Sequence, residues 1–126
     1  MTDAVMAEGY RLCDLFLKRG ATLVQADVLL PADTLLDLYG EDIRGRAYIT
    51  SDPLRGEVVL RPDFTVPVVQ RHMETRADPA RYAYQGKVFR KQDSDPTRAS
   101  EYMQVGFEVF ERTAPEAADA RVFGII

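Results

Sequence analysis

Between Tyr102 and Phe110 the sequence sets an amide and a carboxylate, Gln104 and Glu108, two residues either side of Gly106. Side chains alternate across an extended strand, so Tyr102, Gln104, Gly106, Glu108 and Phe110 share one face while Met103, Val105, Phe107 and Val109 share the other. The second set is a core face. The first has the composition of a pocket floor: an amide that donates and accepts, a carboxylate that accepts, and a glycine that lets something approach the backbone. Upstream, Tyr84, Gly86, Val88 and Arg90 alternate in the same way. A hairpin register that faces Gly86 towards Gly106 gathers Arg90, Gln104 and Glu108 on one surface, and a one-residue slip reverses it. The competing reading is a half-solvated antiparallel sheet whose outer face is simply polar. Two glycines in mid-strand weigh against that, because each costs about 0.5–1 kcal/mol there and brings no packing; the pattern implies open space above the sheet.

Asp63, in LRPDFT, stands between a strand end and a helix start, where its carboxylate either caps the helix or reaches a ligand amine. His72, among Arg71, Glu74 and Arg76, reads as solvated. Cys13 reads as a small buried hydrophobe with nothing basic placed to activate it. The polar stretch QDSDPTRAS solvates a loop, although loops of this kind between two pocket strands often close over a ligand.

The elements that must position these residues follow from periodicity. Met6, Tyr10, Cys13, Phe16 and Leu17 recur at spacings of three and four, which predicts a helix over 3–19 capped by Gly20. Val24, Ala26, Val28 and Leu30 share one side of a strand ended by Pro31, and Asp33 is the expected N-cap of a short helix closed by Gly40. Two strands, 46–52 and 56–62, flank a turn containing Pro53 and Gly56. A helix capped by Asp63 or Thr65 follows, with Pro67 tolerated in its first turn. Segments 80–91 and 101–111 form a long antiparallel hairpin. Thr113 and Glu116 make a capping box for a helix running towards Ile126, and the apolar ending VFGII reads as a cut through that helix.

Composition narrows the chemistry. The chain has 126 residues, in the range of one soluble domain with a core that needs no staple. With 20 acidic and 16 basic residues it has no cationic surplus for a nucleic-acid backbone. One Cys and one His exclude an internal disulfide and a zinc site built on them, and no metal is expected. The acidic start, with Asp3 and Glu8, is unlike a signal peptide, and no apolar run reaches membrane-spanning length. A cytoplasmic protein is expected.

Taken in order, LRPDFTVPV, PARYAYQGKVFRKQ and EYMQVGFEVF resemble the class II histidyl-tRNA synthetase core, from about Arg19 to Ile126. PADTLLDLYGEDIRGRAYITSD together with LRPDFTVPV is closer still to the paralogous branch that regulates ATP phosphoribosyltransferase, the first enzyme of histidine biosynthesis. The resemblance implies an α+β fold, an antiparallel sheet flanked by helices, with residues 1–126 forming a single partial domain. This domain would carry the first two class II motifs, and the third would lie beyond Ile126. The resemblance also implies a histidine site of Asp63, Thr65, Arg90, Gln104 and Glu108: Asp63 stands where the synthetases carry the Glu of LRPEGT, Gln104 and Glu108 match F-H-Q-x-G-x-E, and Arg90 matches the arginine of F-R-x-E. Gln92 replaces the glutamate that reads adenine, and the proline of the dimer motif arrives only at Pro31, Asp27 standing near its usual place. The implied role is non-catalytic: no catalytic residue, no cofactor, L-histidine as effector, and a homodimer assembled with the short catalytic subunit, without tRNA or membrane. The alternatives are a fragment of a true synthetase, with ATP-dependent aminoacylation, and a scaffold with a vestigial pocket.

Overall fold

The computed structural model describes residues 2–92 and 95–111, and the helix expected from Thr113 lies outside them. In chain order the elements are α1 (Asp3–Lys18), β1 (Thr22–Leu23), β2 (Leu29–Pro31), α2 (Ala32–Tyr39), α3 (Ile43–Arg46), β3 (Ile49–Asp52), β4 (Gly56–Leu60), α4 (Thr65–Thr75), β5 (Ala80–Phe89) and β6 (Glu101–Phe110). The fold is α+β, with two three-stranded sheets in the orders β1-β5-β6 and β2-β4-β3.

Helix α1 forms on the expected stripe. Thr2 accepts the Val5 N–H at 3.2 Å, and Cys13 and Phe16 are buried against Ala83, Val105 and Phe107 of the first sheet. Gly9 permits the approach, since a Cβ there would stand 3.1 Å from Met103 Cγ. The opposite face of the same sheet holds a second core of Val24, Phe64, Val68, Tyr82, Tyr84 and Val88, to which α4 contributes. A third core, of Leu30, Ala32, Leu35, Ile43, Ala47, Val59 and Val66, joins the second sheet to α2, α3 and α4. The β3–β4 turn is held by the Asp52 carboxylate, which accepts the Leu54 and Arg55 N–H groups at 2.9 Å.

Three local expectations are corrected. The single strand over 24–30 is divided: β1 pairs in parallel with β5, β2 pairs antiparallel with β4, and the chain between them crosses from one sheet to the other. Val24 and Leu30 are both buried, but in different cores. Asp33 does not cap α2; the cap position is Pro31, without a side-chain hydrogen bond, and Asp33 lies in the first turn, where its charge suits the helix dipole. Arg46 closes the one-turn helix α3 instead of opening a strand, so β3 begins at Ile49.

Arg61 joins the two sheets. Its N–H donates to Val28 O at 2.8 Å, its carbonyl accepts the Phe89 N–H at 3.0 Å, and its guanidinium donates to Lys87 O at 2.8 Å and Ala26 O at 2.7 Å. The same guanidinium lies 4.7 Å from the Phe64 ring centroid, and the residue is 8% exposed. Burial pushes its pKa down, partly opposed by Asp27.

Candidate ligand site

The β5–β6 register pairs Gly86 with Gln104, Tyr84 with Gly106 and Tyr82 with Glu108. This is two residues away from a Gly86–Gly106 alignment. Because strand side chains repeat every second residue, an even offset keeps the face, and Tyr84, Gly86, Gln104, Gly106 and Glu108 remain on one side. The open space expected above the glycines is corrected, because the protein's own side chains occupy it. A Cβ on Gly86 would lie 2.7 Å from Arg61 Nη2 and 2.9 Å from Phe64 Cζ, and one on Gly106 would run into the phenol end of Tyr84.

Tyr84 is the centre of the arrangement. Its ring stacks on Phe64 with centroids 4.7 Å apart, and its hydroxyl donates to Glu108 Oε1 at 3.2 Å. Burial above all, then the carboxylates of Glu108 and Asp63, push its pKa up, so the phenol is a neutral donor at physiological pH. Asp63 Oδ1 accepts the Thr65 N–H at 3.0 Å, and Tyr39 donates its hydroxyl to both Asp63 oxygens at 3.0 and 3.1 Å. Asp63 thus satisfies a first-turn N–H of α4, while the cap residue itself is Phe64. The Tyr39 pKa is also raised, by burial first, with Asp63 adding to it and Thr65 opposing.

Arg90 follows β5 and supports the Asp63 loop from the other side. Its Nε donates to Pro62 O at 3.0 Å, its N–H donates to Ser100 O at 2.9 Å, and its guanidinium lies 5.4 Å from the Tyr102 ring centroid. It also lines a cavity of about 490 Å³ with Arg46, Lys91, Gln92, Arg98 and Tyr102. Gln92 donates its amide to Ala99 O at 3.1 Å. The Gln104 side-chain oxygen is buried and has no hydrogen-bond partner among the described residues.

The structure therefore joins Glu108 to Tyr84 and Asp63 to Tyr39 and the Thr65 N–H, and places Gln104 on the sheet face of Tyr84 and Glu108; Arg90 anchors the backbone beside Asp63. Sequence reasoning missed Tyr39 and the part played by Tyr84. The available signal for Tyr84 was its face, shared with Gly86. His72 is also corrected from solvated to half-buried: Nδ1 lies 3.0 Å from the Tyr82 hydroxyl, and the ring stacks on Phe110 at 4.1 Å.

Among the described residues neither Asp63 nor Glu108 forms an ion pair, and no group of three His, Cys, Asp or Glu could hold a metal ion. Two carboxylates held by phenol donors suit a ligand that brings positive charge and N–H groups.

The family profile for histidyl-tRNA synthetase matches residues 5–126. An ATP phosphoribosyltransferase regulatory subunit of Chelativorans sp. (strain BNC1) is 40% identical over 123 residues, 96% of this chain and 32% of that protein. One of the same name from Agrobacterium fabrum is 42% identical over 112 residues, 88% of this chain and 29% of the relative. The chain thus spans about a third of the length of these curated relatives. Among solved structures, an ATP phosphoribosyltransferase regulatory subunit/histidyl-tRNA synthetase from Bacillus halodurans superposes with a TM-score of 0.70 at 26% identity, over 95% of this chain and 32% of that one. Pyrrolysyl-tRNA synthetase from Desulfitobacterium hafniense gives 0.79 at 16% identity, over 97% and 44%, a likeness of fold alone. With the profile running through nearly all of its length, the chain belongs to the histidyl-tRNA synthetase family.

Proposed function

We propose that the chain is the histidine-recognising part of a regulatory subunit of ATP phosphoribosyltransferase, a partial class II domain that binds L-histidine for feedback control and does no chemistry itself. The observation that carries this reading is a pair of carboxylates, Asp63 and Glu108, each held by a phenol donor, Tyr39 and Tyr84 respectively, and neither ion-paired among the described residues. Histidine brings what such a pair lacks, an ammonium at one end and ring N–H groups at the other. In this reading Asp63, beside Thr65, receives the α-ammonium, Gln104 and Glu108 hold the rest of the amino acid, and Arg90 faces its carboxylate. The names of the relatives support the biosynthetic role. Gln92 supports the absence of adenylate chemistry, because an amide tied to Ala99 O stands where an adenine-reading carboxylate would be.

Feedback requires histidine to favour one conformation of the assembly over another, a coupling typically of about 1–3 kcal/mol. The partners in this reading are a second copy of the chain and the short catalytic subunit, in the cytoplasm. The test is histidine inhibition of the assembled enzyme carrying Gln104→Ala or Glu108→Ala in the regulatory subunit: the reading expects inhibition to weaken sharply, and unchanged inhibition would refute the site.

One observation favours a second reading. Arg46, Arg90, Lys91 and Arg98 surround a single cavity, a setting for a polyphosphate, as a working synthetase would require. ATP-dependent pyrophosphate exchange stimulated by histidine would establish that reading, and its absence would leave the regulatory one.

A further inference from the structure

We infer that Gly106 and Tyr84 act as a positioning pair, in which the missing side chain at 106 lets the Tyr84 phenol cross the hairpin, fix Glu108 and so select a ligand ring that carries an N–H. This deepens the histidine reading above and rests on it.

Three observations converge. Tyr84 and Gly106 are directly opposed in the register, and any Cβ at 106 would collide with Tyr84 Cζ and its hydroxyl. The hydroxyl reaches Glu108 Oε1, two residues further along β6, at 3.2 Å. Phe64, next to Asp63 in sequence, backs the ring by stacking, so the ring can neither retreat nor rotate without disturbing that contact. Glu108 is itself exposed, and a carboxylate on a free side chain would sample several rotamers. With Oε1 held by a neutral phenol, Oε2 is directed as an acceptor. Acceptor geometry held in place before binding is what discriminates a ring N–H from a ring N-methyl, because a methyl leaves the carboxylate unpaired. Tyr84 is thus a positioning residue acting through Glu108, and Gly106 is the steric condition for it.

The test is calorimetric titration of the chain with L-histidine and with its two ring-N-methylated isomers, on wild type, Tyr84→Phe, Gly106→Ala and the double variant. Tyr84→Phe keeps the ring over Gly106 and deletes only the donor. It should weaken histidine about tenfold, the scale of one lost hydrogen bond to a charged group. The poorer-binding methyl isomer, which does not use Glu108, should move less than about twofold, so selectivity collapses while the fold persists. Gly106→Ala should reproduce that change, and the double variant should be no worse than the single ones. If Gly106→Ala fails to fold, Tyr84→Phe alone decides. Unchanged histidine affinity in Tyr84→Phe, or an equal loss for both ligands, overturns the inference and leaves the histidine reading standing; no histidine binding by wild type overturns both.

Discussion

Replacing Arg61 tests how the two sheets are held in register and how the Asp63 loop is placed. The guanidinium makes two hydrogen bonds to carbonyls of different segments, Ala26 and Lys87, and covers the Phe64 ring. Hydrogen bonds from a charged donor contribute about 1.5–3 kcal/mol each, and a desolvated cation–π contact about 1–2 kcal/mol. Against this gross loss, Arg61→Met relieves the burial of a charge that has no carboxylate within ion-pair distance among the described residues. That relief is on the order of several kcal/mol, leaving a net destabilisation of about 2–3 kcal/mol. Arg61→Lys keeps the buried charge but loses the fork that spans two carbonyls, so it should be at least as damaging as Met. Urea denaturation followed by circular dichroism should show both midpoints falling, and thermal melting should drop by about 10 °C for a chain of this size. If Arg61→Met lay within about 0.5 kcal/mol of wild type, or if Lys were neutral and Met damaging, the guanidinium would not be the joint described above.

Three further outcomes follow from the packing. Because the Tyr84 pKa is raised in the folded state, the unfolded chain releases that proton first, near its ordinary pH of about 10; stability is therefore complete below that pH and falls as pH rises above it, and Tyr84→Phe should flatten the fall in alkaline denaturation curves. Asp63→Asn should weaken α4 by about 1 kcal/mol through its altered bonds to the Thr65 N–H and Tyr39 hydroxyl, read as a lower urea midpoint. Cys13 is 3% exposed and its pKa is raised, chiefly by burial and then by Asp14, so a disulfide reagent should label it at least about a hundredfold more slowly in the folded chain than in urea.

The parts of this molecule that were legible in its sequence are those set by local periodicity. The stripe of α1 and the alternation of β5 and β6 depend on spacings of 3.6 and two, and an error of two in the hairpin register left every side chain on its proper face. What escaped was tertiary. Val24 and Leu30 look like one alternating strand because both are buried, and nothing local says that they enter different cores. A glycine announces that something comes close, but not whether it is a ligand or a neighbour; here Tyr84, Arg61 and Phe64 fill the space. His72 was misjudged for the same reason, since its neighbours Tyr82 and Phe110 come from the hairpin and not from its own helix. The family resemblance points to Asp63 and Glu108 as the residues to test, whereas the phenols that hold them, Tyr39 and Tyr84, emerge only from the structure.

In the proposed histidine site, Asp63 and Glu108 face one ligand molecule. The most direct test is calorimetric titration of the chain with L-histidine alongside Asp63→Asn and Glu108→Gln, each variant first shown to be folded by circular dichroism. Wild type should show saturable one-to-one binding, weakened at least about tenfold in either variant as a charge-assisted hydrogen bond is lost. Wild-type silence, or undiminished binding by both folded variants, would contradict this site.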